Sequence, residues 1–535
     1  MTQAPPANSY DLAPYPRLSH FFSHHAKAAT LARLLGLTPP PAERCRVLEL
    51  GCASGGNLIP MAVAFPECHF VGLDYSSRQV AEGQADIEHM GLSNITLLQM
   101  DLQAVDPGFG QFDYILAHGV YSWVPPAVRD HLLAVCRDNL APQGVAYVSY
   151  NTYPGWHGLD AVRRMMLYHV RETTEPAERA AEARGLLDFL VSATDPADHY
   201  GAMLASHNKF LHEEPSGGAD AYLLHDHLEE VNDPVYFYEF AEHAGRHGLQ
   251  YLCDADFRMD FLATFPKAKA DALLKMSHDI VELEQYMDFV RNRMFRQSLL
   301  VHADQPVSRR LGAARLQTLW VGSAARPETG EIELRSGAVE KFIGRDDAKL
   351  STDHPLSKAA MAYLIRRWPA TVAFETLVAE AQALLADAQG ETASGPVPPD
   401  QREVLAGNLL QAFTVSENLV EFHACAPRYT LDVSGKPRAS DWARRQAELG
   451  PSVTNLRHER VRLGPLQSHL LRLLDGRRDR TAVLAELEMR VLAGELAARQ
   501  DDHVVTDPQT NLELLAESLD SNLRELARSA LFMAG

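Results

Sequence analysis

Residues 49–57, Glu-Leu-Gly-Cys-Ala-Ser-Gly-Gly-Asn, constrain this chain more than any other stretch. A short apolar run, Arg46-Val-Leu48, precedes them, and Leu58-Ile-Pro-Met-Ala-Val-Ala64 follows. The pattern predicts a buried strand, a glycine turn and the start of a helix. Such a turn sits at the carboxyl end of a strand, where open α/β sheets bind their ligands.

The chain continues in the same rhythm to about residue 150. His69 to Leu73 reads as a second strand ending at Asp74, and Ser77 to Met90 as a helix. Asn94 to Met100 reads as a third strand ending at Asp101. Phe112 to Ala117 is a fourth and Gly144 to Tyr150 a fifth. Between them Val124 to Leu140 reads as a helix with prolines in its first turn. Alternation of this kind predicts an α/β fold with a parallel, doubly wound, Rossmann-like sheet.

Two cofactors can use the turn. A nicotinamide dinucleotide needs glycines and a helix N-terminus against its pyrophosphate, and Gly51, Ala53 and Gly56 with Asp74 on the ribose can be read that way. S-adenosylmethionine carries no phosphate. It needs close backbone approach, an acid for the ribose hydroxyls, and polar groups for its amino-acid end and adenine. Glu49 ahead of the turn, Gly51 and Gly55 within it, and Asp74 and Asp101 at successive strand ends meet that need together, so they favour S-adenosylmethionine.

The 535 residues suffice for two to four domains. A formal charge of −20 argues against a general nucleic-acid binder, whose affinity comes mostly from neutralising phosphates. Six cysteines without a CxxC pair suggest neither a disulfide framework nor a zinc site. The first residues lack the basic-then-apolar pattern of a signal peptide. No apolar run approaches the ~20 residues that span a bilayer. A cytoplasmic protein without membrane insertion is expected.

Glu49-x-Gly51-x-Ala53-x-Gly55 resembles motif I of class I methyltransferases, with alanine in place of the middle glycine. Tyr10-Asp11 with Pro14-Tyr15, then Leu48 to Met61, then His118-Gly-Val-Tyr-Ser-Trp-Val124, then Ser149-Tyr-Asn-Thr-Tyr-Pro-Gly-Trp156 resemble one family. It comprises the methyltransferases carrying a "methyltransferase regulatory domain", among them the rickettsial protein-lysine methyltransferases. The resemblance covers most of residues 8–303 and, more loosely, the C-terminal part. It implies S-adenosylmethionine as methyl donor and protein lysine as acceptor. The cofactor is expected on Glu49, Gly51, Ala53, Gly55, Asn57, Asp74, Tyr75, Asp101, Leu102 and His118, with Tyr10 and Tyr15 as lid residues. His118, Tyr121, Asn151 and Tyr153 are the expected catalytic or acceptor-lining residues, with Trp123 and Trp156 as walls. The segment His118-Gly-Val-Tyr121 stands where base-methylating enzymes usually carry Asn/Asp-Pro-Pro-Tyr, which speaks against a nucleic-acid base.

The boundaries read from sequence are a cofactor-binding core over 1–157, a helical insertion over 158–248 and returning core elements over 249–303. Two winged-helix-like modules follow, over 304–430 and 431–535. The insertion reads as a lid or a dimerisation element, so a homodimer is possible. Its His225-Asp-His227 could in principle hold a metal, but a solvated helix start is the expectation, and no metal is expected. The two modules rest on an internal repeat: Pro355 to Leu364 and Thr371 to Leu377 are echoed by Pro465 to Leu474 and Thr481 to Leu487. Arg457, Arg460, Arg462, Arg472, Arg477, Arg478 and Arg480 form a basic cluster, but interleaved Glu459, Asp475 and Asp479 favour ordinary surface or a protein contact over DNA. Three functions stay open: a protein-lysine methyltransferase, which is preferred, a methyltransferase of a small amine or other metabolite, and a non-catalytic cofactor-binding scaffold or sensor.

Overall fold

In β1 (Arg46–Leu50) every residue after Arg46 is buried, as a strand covered on both faces requires. It pairs in parallel with β2 (His69–Asp74) on one side and β4 (Phe112–Ala117) on the other. β3 (Ile95–Gln99) lies outside β2, and β5 (Leu140–Asn151) outside β4, both parallel. The computed structural model describes residues 15–213, 223–334, 337–392, 395–496, 499–500, 503–504 and 507–534. Tyr10, expected as a lid residue, lies outside the described residues.

Two later strands complete a seven-stranded sheet of order β3-β2-β1-β4-β5-β7-β6, with β6 at Leu249–Asp254 and β7 at Phe295–His302. β7 runs antiparallel to both neighbours, so the sheet is mixed rather than wholly parallel. Strand order reverses between β1 and β4, and the crevice at that switch point opens above the glycine turn. Helices α1 (His25–Leu34), α2 (Leu58–Ala64), α3 (Ser77–Met90) and α4 (Pro126–Asp138) cover the sheet. Local chemistry sets α3's limits: the Ser76 side chain accepts from the Gln79 amide, and Gly91 ends the helix at φ 65°.

Between β5 and β6 the chain forms α5 (Trp156–His169), α6 (Pro176–Ala193) and α7 (His199–Glu213). A five-residue π-helical turn, Leu223–His227, and α8 (Phe237–Arg246) follow. The first three helices and the turn bury their own apolar cluster, including Val162, Met166, Ala183, Leu187 and Leu204. His225 and His227 are buried in this turn rather than solvated, contrary to the sequence reading. Before β7 come α9 (Lys267–Met276) and α10 (Ile280–Arg291). A buried ionic network fastens α10 to the sheet: Arg296 bonds Glu284 and Asp288 at 2.9 and 2.7 Å, and Arg293 bonds Asp254 at 2.6 Å. Each charge has a partner, which is what makes the burial tolerable.

The repeat is visible as structure. Helices α11 (Pro355–Arg367), α12 (Phe374–Gln389) and α13 (Pro399–Val415) recur, after α14 (Asp441–Leu449), as α15 (Pro465–Leu473), α16 (Arg480–Leu492) and α17 (Pro508–Arg528). The two copies pack differently. Residues of the first share a continuous core with the sheet, through α1 and the pieces around Leu316 and Phe422. The second has its own core of Leu470, Leu471, Leu487, Leu519, Leu523 and neighbours. Its arginines are largely committed: Arg457 to Glu421 at 2.8 Å, Arg478 to Asp475 at 2.6 Å and Arg480 to Asp520 at 2.9 Å. Among the described residues no helix is long and apolar enough to cross a membrane.

Candidate active site

The turn after β1 is held by the acid at the end of β2. Asp74 accepts from the backbone amides of Ala53 at 2.7 Å and Ser76 at 2.8 Å. Ala53 needs that bond, because it sits at φ 49°, a left-handed conformation that costs an L-residue about 1 kcal/mol. The departure from glycine at this position is thus one of backbone strain, not only of an added methyl. Gly51 has φ 75°, and a Cβ there would come within 2.6 Å of Val120. Gly is therefore required on two counts.

Glu49 ends β1 almost wholly buried, and burial pushes its carboxyl up to about 8, against the pull of a hydrogen bond from Asn57. Asn57 Nδ2 donates to Glu49 Oε1 at 2.6 Å and to Ser23 Oγ at 2.9 Å. Its Oδ1 accepts from the His20 amide at 3.0 Å and from His458 Nε2 at 2.7 Å. His458 belongs to the second C-terminal module, 401 residues away. Arg445 of that module also bonds Asp86 of α3 at 2.9 Å, and Arg17 reaches the same carboxylate from the N-terminal strap. No sequence signal marked His458, since nothing local to it resembles a site.

These residues open onto one cavity of about 1140 Å³. Of the expected cofactor residues, Tyr15, Glu49, Gly51, Ala53, Asn57, Asp74, Tyr75, Asp101, Leu102 and His118 line it. Gly55 does not, but its φ of 76° shapes the turn. Asp101 also caps the next turn through the Gln103 amide at 2.9 Å. The lining fits a polar, amine-bearing nucleoside: Glu49 Oε2 and Gln79 Oε1 are buried polar atoms at this cavity with no hydrogen-bond partner among the described residues.

His118 lies at the junction of the cavity's two halves. Its ring stacks on His20 at 3.6 Å between centroids. Burial holds its pKa well below the ordinary value, and that of His20 near 4, so both are neutral. The Tyr147 hydroxyl gives its proton to Gln297 Oε1 at 2.8 Å and meets His118 Nδ1 at 2.8 Å. With the Tyr147 proton on Gln297, a hydrogen on Nδ1 satisfies that contact and leaves the lone pair on Nε2.

Beyond His118 the lining changes. Asn151 is present, with Nδ2 donating to Asn232 at 3.0 Å. Trp123 and Trp156 are walls, set edge to face at 6.5 Å. His157 stands at the start of α5, His199, Met203, His207, Phe210, His225 and Asp226 come from the insertion, and Asn292, Met294 and Phe295 from the turn leading into β7. Asn292 ends α10 at φ 51° and directs the chain into this rim.

Two expected residues are not here. Tyr121 is buried on the other side of its turn, with its hydroxyl 2.8 Å from His243 Nδ1. A 3₁₀ turn, Tyr121–Trp123, sends successive side chains about 120° apart, so Trp123 faces the cavity and Tyr121 does not. Tyr153 stacks on His157 at 4.1 Å and lines a separate surface depression. It lies two residues past the end of β5, in the segment expected to open onto the crevice, but on the other side of that segment.

Residues 47–144 match the family described as "Methyltransferase domain", and residues 219–302 match "Predicted methyltransferase regulatory domain". Residues 435–531 match "PKMT, C-terminal winged helix domain". An uncharacterized protein of Rickettsia prowazekii, RP789, is 34% identical over 522 residues, covering 96% of this chain and 91% of that protein. The solved structure of PKMT2 from Rickettsia typhi superposes with a TM-score of 0.83 at 28% identity, covering 97% of this chain and 100% of that one. A second structure of PKMT2, in complex with AdoHcy, gives the same TM-score at 27% identity.

Proposed function

The chain belongs to the class I, S-adenosylmethionine-dependent methyltransferases of the rickettsial PKMT type, and from that premise we propose that its acceptor is the amine of a protein lysine. The observation that carries the proposal is the shape of the cavity. It continues past the cofactor turn into an aromatic and histidine-lined mouth built by the insertion, with Phe210 half exposed at its edge.

The bound cofactor supplies a methyl group on a sulfonium, which an aligned nucleophile displaces in line. The chain's own residues prepare the nucleophile. A lysine entering between Trp123, Trp156 and Phe295 leaves water, and desolvation lowers the pKa of its ammonium. The neutral amine finds His118 Nε2 as an acceptor that can orient it. Because His118 resists protonation, its role is to align the amine rather than to store its proton, which leaves to solvent. Asn151 offers a second polar contact, and the indole faces suit the cationic product. Tyr15, Arg17 and His20 cover the cofactor half and exclude water.

The test is to incubate the protein with methyl-labelled cofactor and a fractionated extract of its own host. Label in protein, recovered as methyl-lysine after hydrolysis, is the expected result. Label only in the small-molecule fraction overturns the acceptor assignment in favour of a metabolite. Tight cofactor binding with no label anywhere points to a binding protein instead.

A further inference from the structure

The second cavity, where Tyr121 and Tyr153 lie, has chemistry of its own. Asp130 of α4 faces His243 of α8 and His247 just after it, four residues on. His243 Nε2 and His247 Nε2 approach the same oxygen, Asp130 Oδ1, at 3.0 and 2.9 Å. The three ligating atoms lie within 4.8 Å of one another. We propose that Asp130, His243 and His247 form a binding site for a divalent late transition metal, zinc by preference, distinct from the methyl-transfer cavity.

Four observations support it. First, the donor set is two imidazole nitrogens and a carboxylate from two elements, with the histidines at i and i+4 on one helix face, which suits zinc. Second, the spacing needs little adjustment. Tetrahedral bonds of about 2.0–2.1 Å place neighbouring ligand atoms roughly 3.3 Å apart, a few tenths more than the two histidine–Asp130 separations, and the two imidazole nitrogens lie within 4.8 Å of each other. Third, the outer support is in place. His243 Nδ1 meets the Tyr121 hydroxyl at 2.8 Å, and a hydroxyl can accept from Nδ1–H once Nε2 is given to a metal. Arg129 lies over the Tyr121 ring at 5.0 Å and pairs with Asp233 at 2.7 Å, so this tyrosine is held on both sides. Fourth, the local charge favours a cation: Asp130, Asp233, Glu239 and Glu242 line this depression against Arg129 and Arg246 alone. Arg246 is itself within 3.6 Å of Glu242.

The site is accessible through Asp130, which is largely exposed, while His243 and His247 are mostly covered. An ion there would clip α8, where the insertion rejoins the core, to α4. The clip lies behind the turn that carries His118, Val120 and Trp123 on its other face.

The experiment uses the full chain, untagged and stripped with a chelator, titrated with zinc chloride by calorimetry. Saturable binding is expected, weakened at least about tenfold in Asp130→Asn, at an exposed position, and in His247→Gln, which keeps the size of a polar side chain at a mostly covered one. Tyr121→Phe is expected to weaken it by a similar factor, without altering cofactor affinity. Cobalt substitution supplies a second readout, since N/O ligation gives visible bands without a thiolate charge-transfer band. The buried His25, Cys45 and Cys68, whose sulfurs lie 3.4 Å apart, are the competing group. No saturable binding overturns the proposal. So does binding that survives both ligand variants, or a charge-transfer band lost in Cys45→Ser.

Discussion

The two halves of the active-site cavity are built by different means. The cofactor half comes from residues within one βαβ-type stretch, 49 to 103, with the strap at 15–20 laid over it. Its polar groups are cross-bonded: half-buried Asp74 to two backbone amides, and buried Asn57 to four partners. The acceptor half is assembled from α5, α7, the π-helical turn and the rim before β7. Many of its side chains are aromatic, histidine or methionine, and several are partly exposed. A site for one invariant small molecule can be rigid and local. A site for an acceptor on another molecule must be reached from outside, and its walls come from elements that stand away from the sheet.

Substitutions can separate the halves by their effect on cofactor affinity. Asp74→Ala should do most, because two amides lose a charged acceptor and Ala53 loses its support. Bonds to charged groups contribute about 1.5–3 kcal/mol each, so calorimetry should record at least about a hundredfold weaker binding. Unchanged affinity there would break the account of the turn.

Glu49→Gln comes next, at about tenfold. It also carries a pH signature. Burial raises the Glu49 carboxyl to about 8, so it is neutral below that pH in the free protein. The raised value means that folding stability from this group is full below its unfolded pKa and is lost as pH rises through about 8. Cofactor affinity should move oppositely, rising toward pH 8 as the carboxylate forms beside a cationic ligand. The Gln variant should flatten both the thermal-stability decline and the affinity rise. A wild-type-like pH profile in that variant would remove Glu49 from the cofactor's surroundings.

His458→Ala should cost about 1 kcal/mol, or roughly fivefold in cofactor affinity, through the lost bond to Asn57. No effect would mean that the module rests against the site without supporting it. Phe210→Ala is expected to change cofactor affinity least, less than about twofold, while lowering kcat/KM for the proposed protein acceptor about tenfold. Comparable losses in both quantities would show that the halves are one unit.

The same contrast explains what could be read from the sequence. Glu49, Asp74 and Asp101 are at or beside successive strand ends, and strand periodicity carries a residue's facing over such short spans. His118 and Asn151 were reached the same way. Tyr121 and Tyr153 lie off this cavity because each sits past a strand end, in a turn whose rotation the position of the strand end does not describe. His199, His207 and Phe210 were invisible because facing across a helical insertion depends on how α5, α6 and α7 pack on each other. The mixed character of the sheet was equally hidden, since β7 as a segment reads the same in either direction. The duplicated helices were legible because the spacing repeats along the chain. That one copy merges its core with the sheet while the other keeps its own depended on apolar contacts hundreds of residues apart, such as those joining α1 to β8 (Glu421–His423).

The bond between Asn57 and His458 also sets an order of events in the cell. Synthesis runs from the N-terminus, and the strands that carry Glu49, Asp74 and Asp101 leave the ribosome long before residue 458 exists. Until then Asn57 lacks one of its partners, and the strap around His20 lacks the surface formed by Thr454 and His458, which bond Ser19 at 3.4 Å each. The strands and glycine turn can therefore form early, while the contacts that His458 and Thr454 make with Asn57 and Ser19 come only near the end of synthesis.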